Sequence, residues 1–371
     1  MLQNGNHKLI ALILFLALII NLGLTFSSAE STLSVNAKAA ALYEPATQTF
    51  LYSKNADERL PMASTTKIMT ALVSIERENL NREISVDERA VGIEGSSAYL
   101  KAGEVFTLGE LLYALMLQSA NDAAEAIAYA IGGNVEAFAE LMNEKALSLG
   151  LTNTNFTNPH GLDCEEHYTT AHDLAIITAE AMSYPEFSEI VSTSVKRVEK
   201  EGISRLFANH NKLLKLYDGC IGVKTGFTKK SGRCLVSAAE RDGLQLISVT
   251  LDCPDDWNEH KKMLDFGFEQ MERVVLLSKD EFEYSLPVLN AEQNSVRLGI
   301  SEDLFVIKRK CEPTPELHIE LPRFLGAPIL YGDKVGKIVV KSGEKILLEC
   351  DVVALEAINA KKKEGFFSFL F

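Results

Sequence analysis

The chain has 371 residues, with 37 Lys and Arg against 51 Asp and Glu, a formal charge of −14, and 47% hydrophobic residues. That length holds a catalytic domain and a smaller module, and the balance is an ordinary globular one with a sizeable core. The acidic excess excludes a nucleic-acid surface, which needs clustered Lys and Arg, and argues against broad attraction to anionic wall polymers.

At the N-terminus, His7 and Lys8 precede the apolar run Leu9 to Ile20, which resumes briefly to Leu24. Small residues then lead to Ala29, so residues 1–29 read as a signal peptide cleaved there. The run falls short of the roughly 20 residues that a spanning helix needs. An uncleaved anchor is the competing reading, and both export the remainder. Residues 30–36 form a short polar leader. Ala39 to Tyr43 and Gln48 to Tyr52 read as strands around the turn Glu44-Pro45-Ala46-Thr47.

Residues 63–78 carry Ile68, Leu72 and Ile75 at helical spacing. Thr107, with Glu110 three residues on, is a capping box that opens a helix ending near Gln118. Further helices are predicted from Asn121 to Ala130, stopped by Gly132-Gly133, from Val135 to Leu149, and from Thr170 to Ser183. Gly222 to Thr225, Arg233 to Glu240 and Leu244 to Leu251 read as strands, the last two joined through Arg241-Asp242-Gly243. Residues 258–273 return to helix. Strands, then helices, then strands and a helix predict an α+β fold, an antiparallel sheet carrying a helical subdomain.

From Val274 short strands alternate with turns such as Gly332-Asp333 and Ser342-Gly343, predicting a small all-β domain. The predicted layout is signal 1–29, catalytic domain 30–273, β-sandwich 274–360 and tail 361–371. That tail, three lysines followed by four phenylalanines and a leucine, suits peripheral membrane contact; a frayed end is the plainer reading. The six cysteines show no CxxC pair and no zinc spacing, and read as small buried residues rather than a disulfide framework.

Three short segments carry chemistry. Ser64-Thr65-Thr66-Lys67 sets a hydroxyl and an amine three apart at a helix start, on one face. A serine needs a nearby base, and lysine serves only if burial and a second positive charge strip its proton. Ser119-Ala120-Asn121 lies between two helices, where Ser119 can relay a proton and Asn121 can hold an amide. Lys224-Thr225-Gly226 lies on a strand: Lys224 supplies the second charge, Thr225 binds a carboxylate, and Gly226 lets a peptide lie close. Singly, each segment is weak, for Ser64 could be a simple helix cap; the order and context together are not. No metal pattern appears, and this chemistry requires no cofactor.

These segments, with Asn158-Pro159-His160-Gly161-Leu162-Asp163 and Gly222 to Phe227, resemble the low-molecular-mass D-alanyl-D-alanine carboxypeptidases, penicillin-binding serine peptidases. The resemblance spans about residues 35–360 and includes that family's C-terminal β-module. It implies that Ser64 attacks the carbonyl between two D-alanines, that Lys67 accepts its proton, and that the N–H groups of Ser64 and Phe227 form the oxyanion hole. Ser119 and Asn121 then serve proton transfer and substrate binding, and Lys224 and Thr225 engage the terminal carboxylate. The implied partners are peptidoglycan stem peptides ending in D-Ala-D-Ala, with β-lactams as inhibitors. His160 is expected to be structural, and His210 to sit in a solvated polar loop. A class A β-lactamase is the nearest rival, but no E-x-x-L-N segment lies between Asn121 and Lys224. A D,D-endopeptidase is a second rival, decided by pocket shape. A non-catalytic penicillin-binding sensor is a third, and the completeness of all three segments argues against it.

Overall fold

A computed structural model describes residues 33–200 and 202–362. The predicted signal peptide and all but two residues of the predicted tail lie outside the described residues.

Strands β1 (Ala39–Glu44) and β2 (Thr49–Lys54) open the fold. The buried Glu44 carboxylate fastens their turn, accepting the N–H groups of Ala46 at 2.8 Å and Thr47 at 2.7 Å. A 3₁₀ turn, Ala63–Thr66, leads into α1 (Lys67–Arg77), so the helix predicted over 63–78 begins with a tighter turn. Every residue of α1 from Lys67 to Ser74 is buried, which makes it a central helix with no wet face along that stretch. The short pair β3 (Glu83–Ser85) and β4 (Val105–Thr107) precedes α2 (Leu108–Leu117). The capping box forms as expected: Glu110 N donates to Thr107 Oγ1 at 3.2 Å, and Thr107 N to Glu110 Oε2 at 2.8 Å. α3 (Asn121–Gly132) ends on Gly133 at φ +81°, and α4 (Val135–Ser148) and α5 (Ala171–Met182) follow.

Four elements here were not anticipated, nor was the earlier pair β3 and β4. The four are α6 (Pro185–Ser192), the hairpin β5 (Val195–Lys200) with β6 (Ile203–Ala208), and the single turn α7 (Leu213–Leu216). Among its described residues the hairpin buries only Val198 and Phe207, so its sequence lacks the full alternation of a half-buried sheet. The chain then returns to the main sheet as β7 (Cys220–Thr228), β8 (Gly232–Arg241) and β9 (Leu244–Leu251). Asp242 and Gly243 both adopt positive φ, the conformation a two-residue hairpin turn requires.

The main sheet runs β2-β1-β9-β8-β7, antiparallel throughout. α5 packs on β1 and β9; α8 (Asp256–Gln270) also packs on β9 and β8. At Gly267 an added Cβ would stand 2.6 Å from Leu246 Cδ1 and 3.0 Å from Leu42 Cδ2, so only glycine admits α8 this close. α8 stops at Gln270 rather than at 273, because Met271 already pairs with Arg309 in β10 (Met271–Leu277).

The C-terminal part continues as β11 (Tyr284–Leu289), β12 (Ser295–Gly299), β13 (Leu304–Arg309), β14 (Glu316–Glu320), β15 (Leu325–Gly326), β16 (Lys334–Ser342) and β17 (Lys345–Ala354). One sheet runs β14-β16-β17-β12-β11-β15, beside the pair β10-β13. Val296, Leu298, Ile338, Val352 and Ile358 form its own core, separate from the catalytic cluster. The cysteine expectation needs correction: only Cys234 and Cys253 are buried, Cys164 and Cys311 are exposed, and all six are free thiols.

Candidate active site

β7 is the last strand of the main sheet, so among the described residues one of its edges is unpaired by other strands. That edge faces the 3₁₀ turn carrying Ser64, with the α2–α3 junction across a cleft of about 350 Å³. Ser64, Ser119, Thr225, Gly226 and Phe227 line it together, so stretches distant in sequence converge as the three segments require.

Lys67 organises the floor. Its Nζ lies 3.1 Å from Ser64 Oγ, 2.7 Å from Asn121 Oδ1 and 2.6 Å from the His160 carbonyl oxygen; as a free amine it donates to the latter two and turns its lone pair to the Ser64 hydroxyl. The side chain is wholly buried. Burial, and then the neighbouring Lys224 ammonium, drive its pKa well below the ordinary lysine range, with Asp122 opposing them. Lys224 is equally enclosed; its Nζ donates to the Thr225 carbonyl at 2.9 Å, and burial pushes its pKa down to about 7.

The backbone is shaped to bring these groups together. Ala63, just before the serine, adopts φ +47°, and Ser119 φ +61°, both strained for residues with a Cβ. Gly161 fits against Ala63, where a Cβ would come within 1.9 Å of its carbonyl oxygen. At Gly226 a Cβ would meet Met62 O and Ser64 N at 3.1 Å each, so β7 passes at the closest range a glycine permits. The backbone N–H of Ser64 thereby lies beside β7.

Asn121 differs from its simplest expectation. Its Oδ1 is taken by Lys67, and its Nδ2 donates to the Glu94 carbonyl at 2.6 Å. It therefore orients the base, with one amide hydrogen left for a ligand. His160 holds Lys67 through its carbonyl, while its ring is braced between Leu162 N, 3.1 Å from Nδ1, and Glu125 Oε1, 3.3 Å from Nε2. Burial lowers its pKa, favouring the neutral ring, in accord with a structural part.

Sequence reasoning missed several groups. Asp122 is buried, accepting from Ser97 Oγ at 2.6 Å and from the N–H groups of Ala98 and Leu100 at 3.0 Å, so it shapes the loop opposite β7. His210, expected in a solvated loop, is exposed but borders the cleft, as does Lys212. At the other end stand Arg233, Asp256 and Trp257. Arg233 pairs with Phe227 across the β7–β8 register and donates to Asp256 Oδ1 at 2.8 Å. The signal for Arg233 was legible: a cation just past a hairpin turn, six residues after Phe227, returns to the same end of the sheet. Asp256 and Trp257 come from the start of α8, which no local pattern ties to the cleft.

Comparison with known proteins is consistent along the chain. A family model described as D-alanyl-D-alanine carboxypeptidase matches residues 26–255, and one described as the C-terminal domain of penicillin-binding protein 5 matches residues 272–360. The D-alanyl-D-alanine carboxypeptidase DacF of Bacillus subtilis is 35% identical over 351 residues, 92% of this chain and 90% of that protein. Penicillin binding protein 5 from Haemophilus influenzae superposes with a TM-score of 0.63 at 30% identity, covering 88% of this chain and 98% of that one. The Streptomyces K15 DD-transpeptidase superposes with a TM-score of 0.60 at 34% identity, covering 63% of this chain and 98% of that one.

Proposed function

This chain belongs to the D-alanyl-D-alanine carboxypeptidase family, and from that premise we propose how its residues perform the reaction. It is a serine-type, penicillin-binding hydrolase that removes the terminal D-alanine from peptidoglycan pentapeptide stems through an acyl-enzyme. The observation that carries the residue assignment is the contact of a wholly buried Lys67 with Ser64 Oγ at 3.1 Å, on the wall of an open cleft.

In acylation, Ser64 Oγ forms a bond to the carbonyl carbon between the two D-alanines, and its proton passes to the neutral Lys67 Nζ. Burial and Lys224 keep that amine unprotonated, as a general base requires. The N–H groups of Ser64 and Phe227 receive the developing oxyanion. The C–N bond then breaks, and the departing D-alanine nitrogen takes a proton relayed through Ser119. In deacylation, a water gives its proton to Lys67 and attacks the ester, freeing Ser64 Oγ, which recovers a proton. Thr225, Lys224 and Arg233 supply the donors and positive charge for the terminal carboxylate; Asp256 fixes the guanidinium. Asn121 positions Lys67 and offers its remaining amide hydrogen, and Gly226 lets the substrate backbone lie along β7.

The chain acts outside the cytoplasm, on a wall substrate. The finer reading is a leader at 1–29, a catalytic domain to about residue 273, a β-module to 360, and a tail from 361 resting on the outer face of the membrane. Among the described residues no helix is long and apolar enough to cross a membrane.

Mass spectrometry of a pentapeptide stem incubated with the protein should show the loss of one alanine. Ser64→Ala should abolish both this loss and covalent labelling by a fluorescent penicillin. Lys67→Ala should reduce acylation by more than about 10²-fold, within the usual range for a general base. Near-normal turnover in either variant overturns the assignment.

A further inference from the structure

The wall of the cleft facing β7 is a loop, residues 94–100, whose hold on Asn121 is direct. Asn121 Nδ2 donates to the Glu94 carbonyl at 2.6 Å, and Asn121 N to the Ser96 carbonyl at 2.7 Å. Gly95, at φ +94°, comes so near that a Cβ there would stand 2.8 Å from Asn121 Nδ2. Ser96 faces the cleft. The loop thus sets the orientation of the amide that, at its other end, accepts from Lys67.

This loop contains no regular element, and apart from Tyr99 N, which donates to Ser97 Oγ at 2.8 Å, its paired backbone groups are satisfied from outside. Asp122 takes its donors, the N–H groups of Ala98 and Leu100. Two of its acceptors are taken by Arg205 of β6: Nε donates to the Ala98 carbonyl at 3.2 Å, and Nη2 to the Tyr99 carbonyl at 3.1 Å. Arg205 is itself fixed by Glu104, whose carboxylate oxygens lie 2.9 and 2.8 Å from Nη2, with both side chains about nine-tenths buried. A single guanidinium therefore spans the loop and β4's approach, from a hairpin otherwise exposed over most of its length. A guanidinium fits this role where an ammonium fits it less well, since its Nε and Nη2 edge meets several acceptors at once, while the buried Nη1 has no partner among the described residues.

We propose that Arg205 is a positioning residue for the acylation step: it latches the 94–100 loop so that Asn121 holds Lys67 against Ser64. It touches neither substrate nor reacting atoms. The inference rests on the assignment of Ser64 and Lys67 above and adds to it a control point on a remote hairpin.

The test is the kinetics of acylation by a fluorescent penicillin, resolved into the dissociation constant of the initial complex and the first-order acylation rate constant. Four proteins are compared: the wild type, Arg205→Ala, Arg205→Lys and Lys200→Ala. Lys200 ties the same hairpin to α2 by an ion pair with Glu110 at 2.9 Å rather than to the loop, so its variant controls for general loosening. Arg205→Ala should lower the acylation rate constant about 10- to 100-fold while changing initial affinity less than about 3-fold, the pattern of a displaced base rather than a lost binding group. Arg205→Lys should fall between, and Lys200→Ala should match the wild type. Amide hydrogen exchange at Ala98, Leu100 and Asn121 should accelerate in Arg205→Ala and not in Lys200→Ala. Acylation by Arg205→Ala at the wild-type rate, a loss confined to affinity, or an equal loss in Lys200→Ala each overturns the proposal. Failure of the wild type to label at all would instead overturn the functional assignment, which separates the two.

Discussion

At the scale of residues, the site rests on two buried lysines whose protonation is set by enclosure. Lys224 titrates at about 7 in the folded protein, against roughly 10.4 for an exposed lysine. Its cationic form, which serves the substrate carboxylate, is present below that value and lost above it; Lys67 works in the opposite sense, as the free amine. The profile of kcat/KM against pH should therefore rise on the acid side with Lys67 and fall through about pH 7 with Lys224. Lys224→Met should remove the falling limb and lower the maximum by about 10²-fold. The same substitution carries a stability signature. Between about pH 7 and roughly 10.4 the unfolded chain binds more protons than the folded one, so stability rises with pH across that window. In Lys224→Met the rise should flatten, as read by thermal unfolding at about pH 7 and about pH 9. An unchanged slope would mean that Lys224 is not the group responsible.

At the scale of elements, much was legible and the omissions have physical causes. The capping box at Thr107 and Glu110, the αL stop at Gly133 and the Asp242-Gly243 turn are local devices, fixed by a few neighbouring residues, and each forms where the sequence places it. The hairpin β5–β6 was missed because its strands lie mostly in solvent, where no hydrophobic period is needed. The end of α8 was overextended because pairing of Met271 with Arg309 is decided by a strand almost forty residues away. In the site, the three segments were readable from their order, whereas Arg205, Asp256 and Trp257 act through contacts that no spacing encodes. Gly226 was read only as room for a peptide, whereas it is also where β7 passes close to the serine turn. Gly226→Ala should push β7 outward by a few tenths of an ångström, since two backbone atoms stand 3.1 Å from the new methyl. Acylation should fall about 10-fold, with stability changed by no more than about 1–2 kcal/mol, a modest overpacking cost. A full acylation rate would show that this approach carries no catalytic weight.

At the scale of the whole molecule, neutral histidines in the core set the acid limit. Burial pushes His167 and His260 each down to about 3, and lowers His160 as well. In the unfolded chain all three titrate near 6.5, so between about pH 6.5 and 3 unfolding takes up protons and stability falls as pH falls. At about pH 5 the loss should be about 2 kcal/mol for each of His167 and His260. Urea unfolding at about pH 7 and about pH 5 measures it, and His260→Gln should reduce the difference; equal midpoints at both pH values would contradict the account. The main sheet, finally, stops at β7, and among the described residues no strand pairs with its outer rim. A rim of amides and carbonyls reads chain direction and extension, and is indifferent to what projects from alternate positions. Stems that differ only in side chains directed away from that rim should thus be accepted on similar terms, with discrimination concentrated at the D-alanine end.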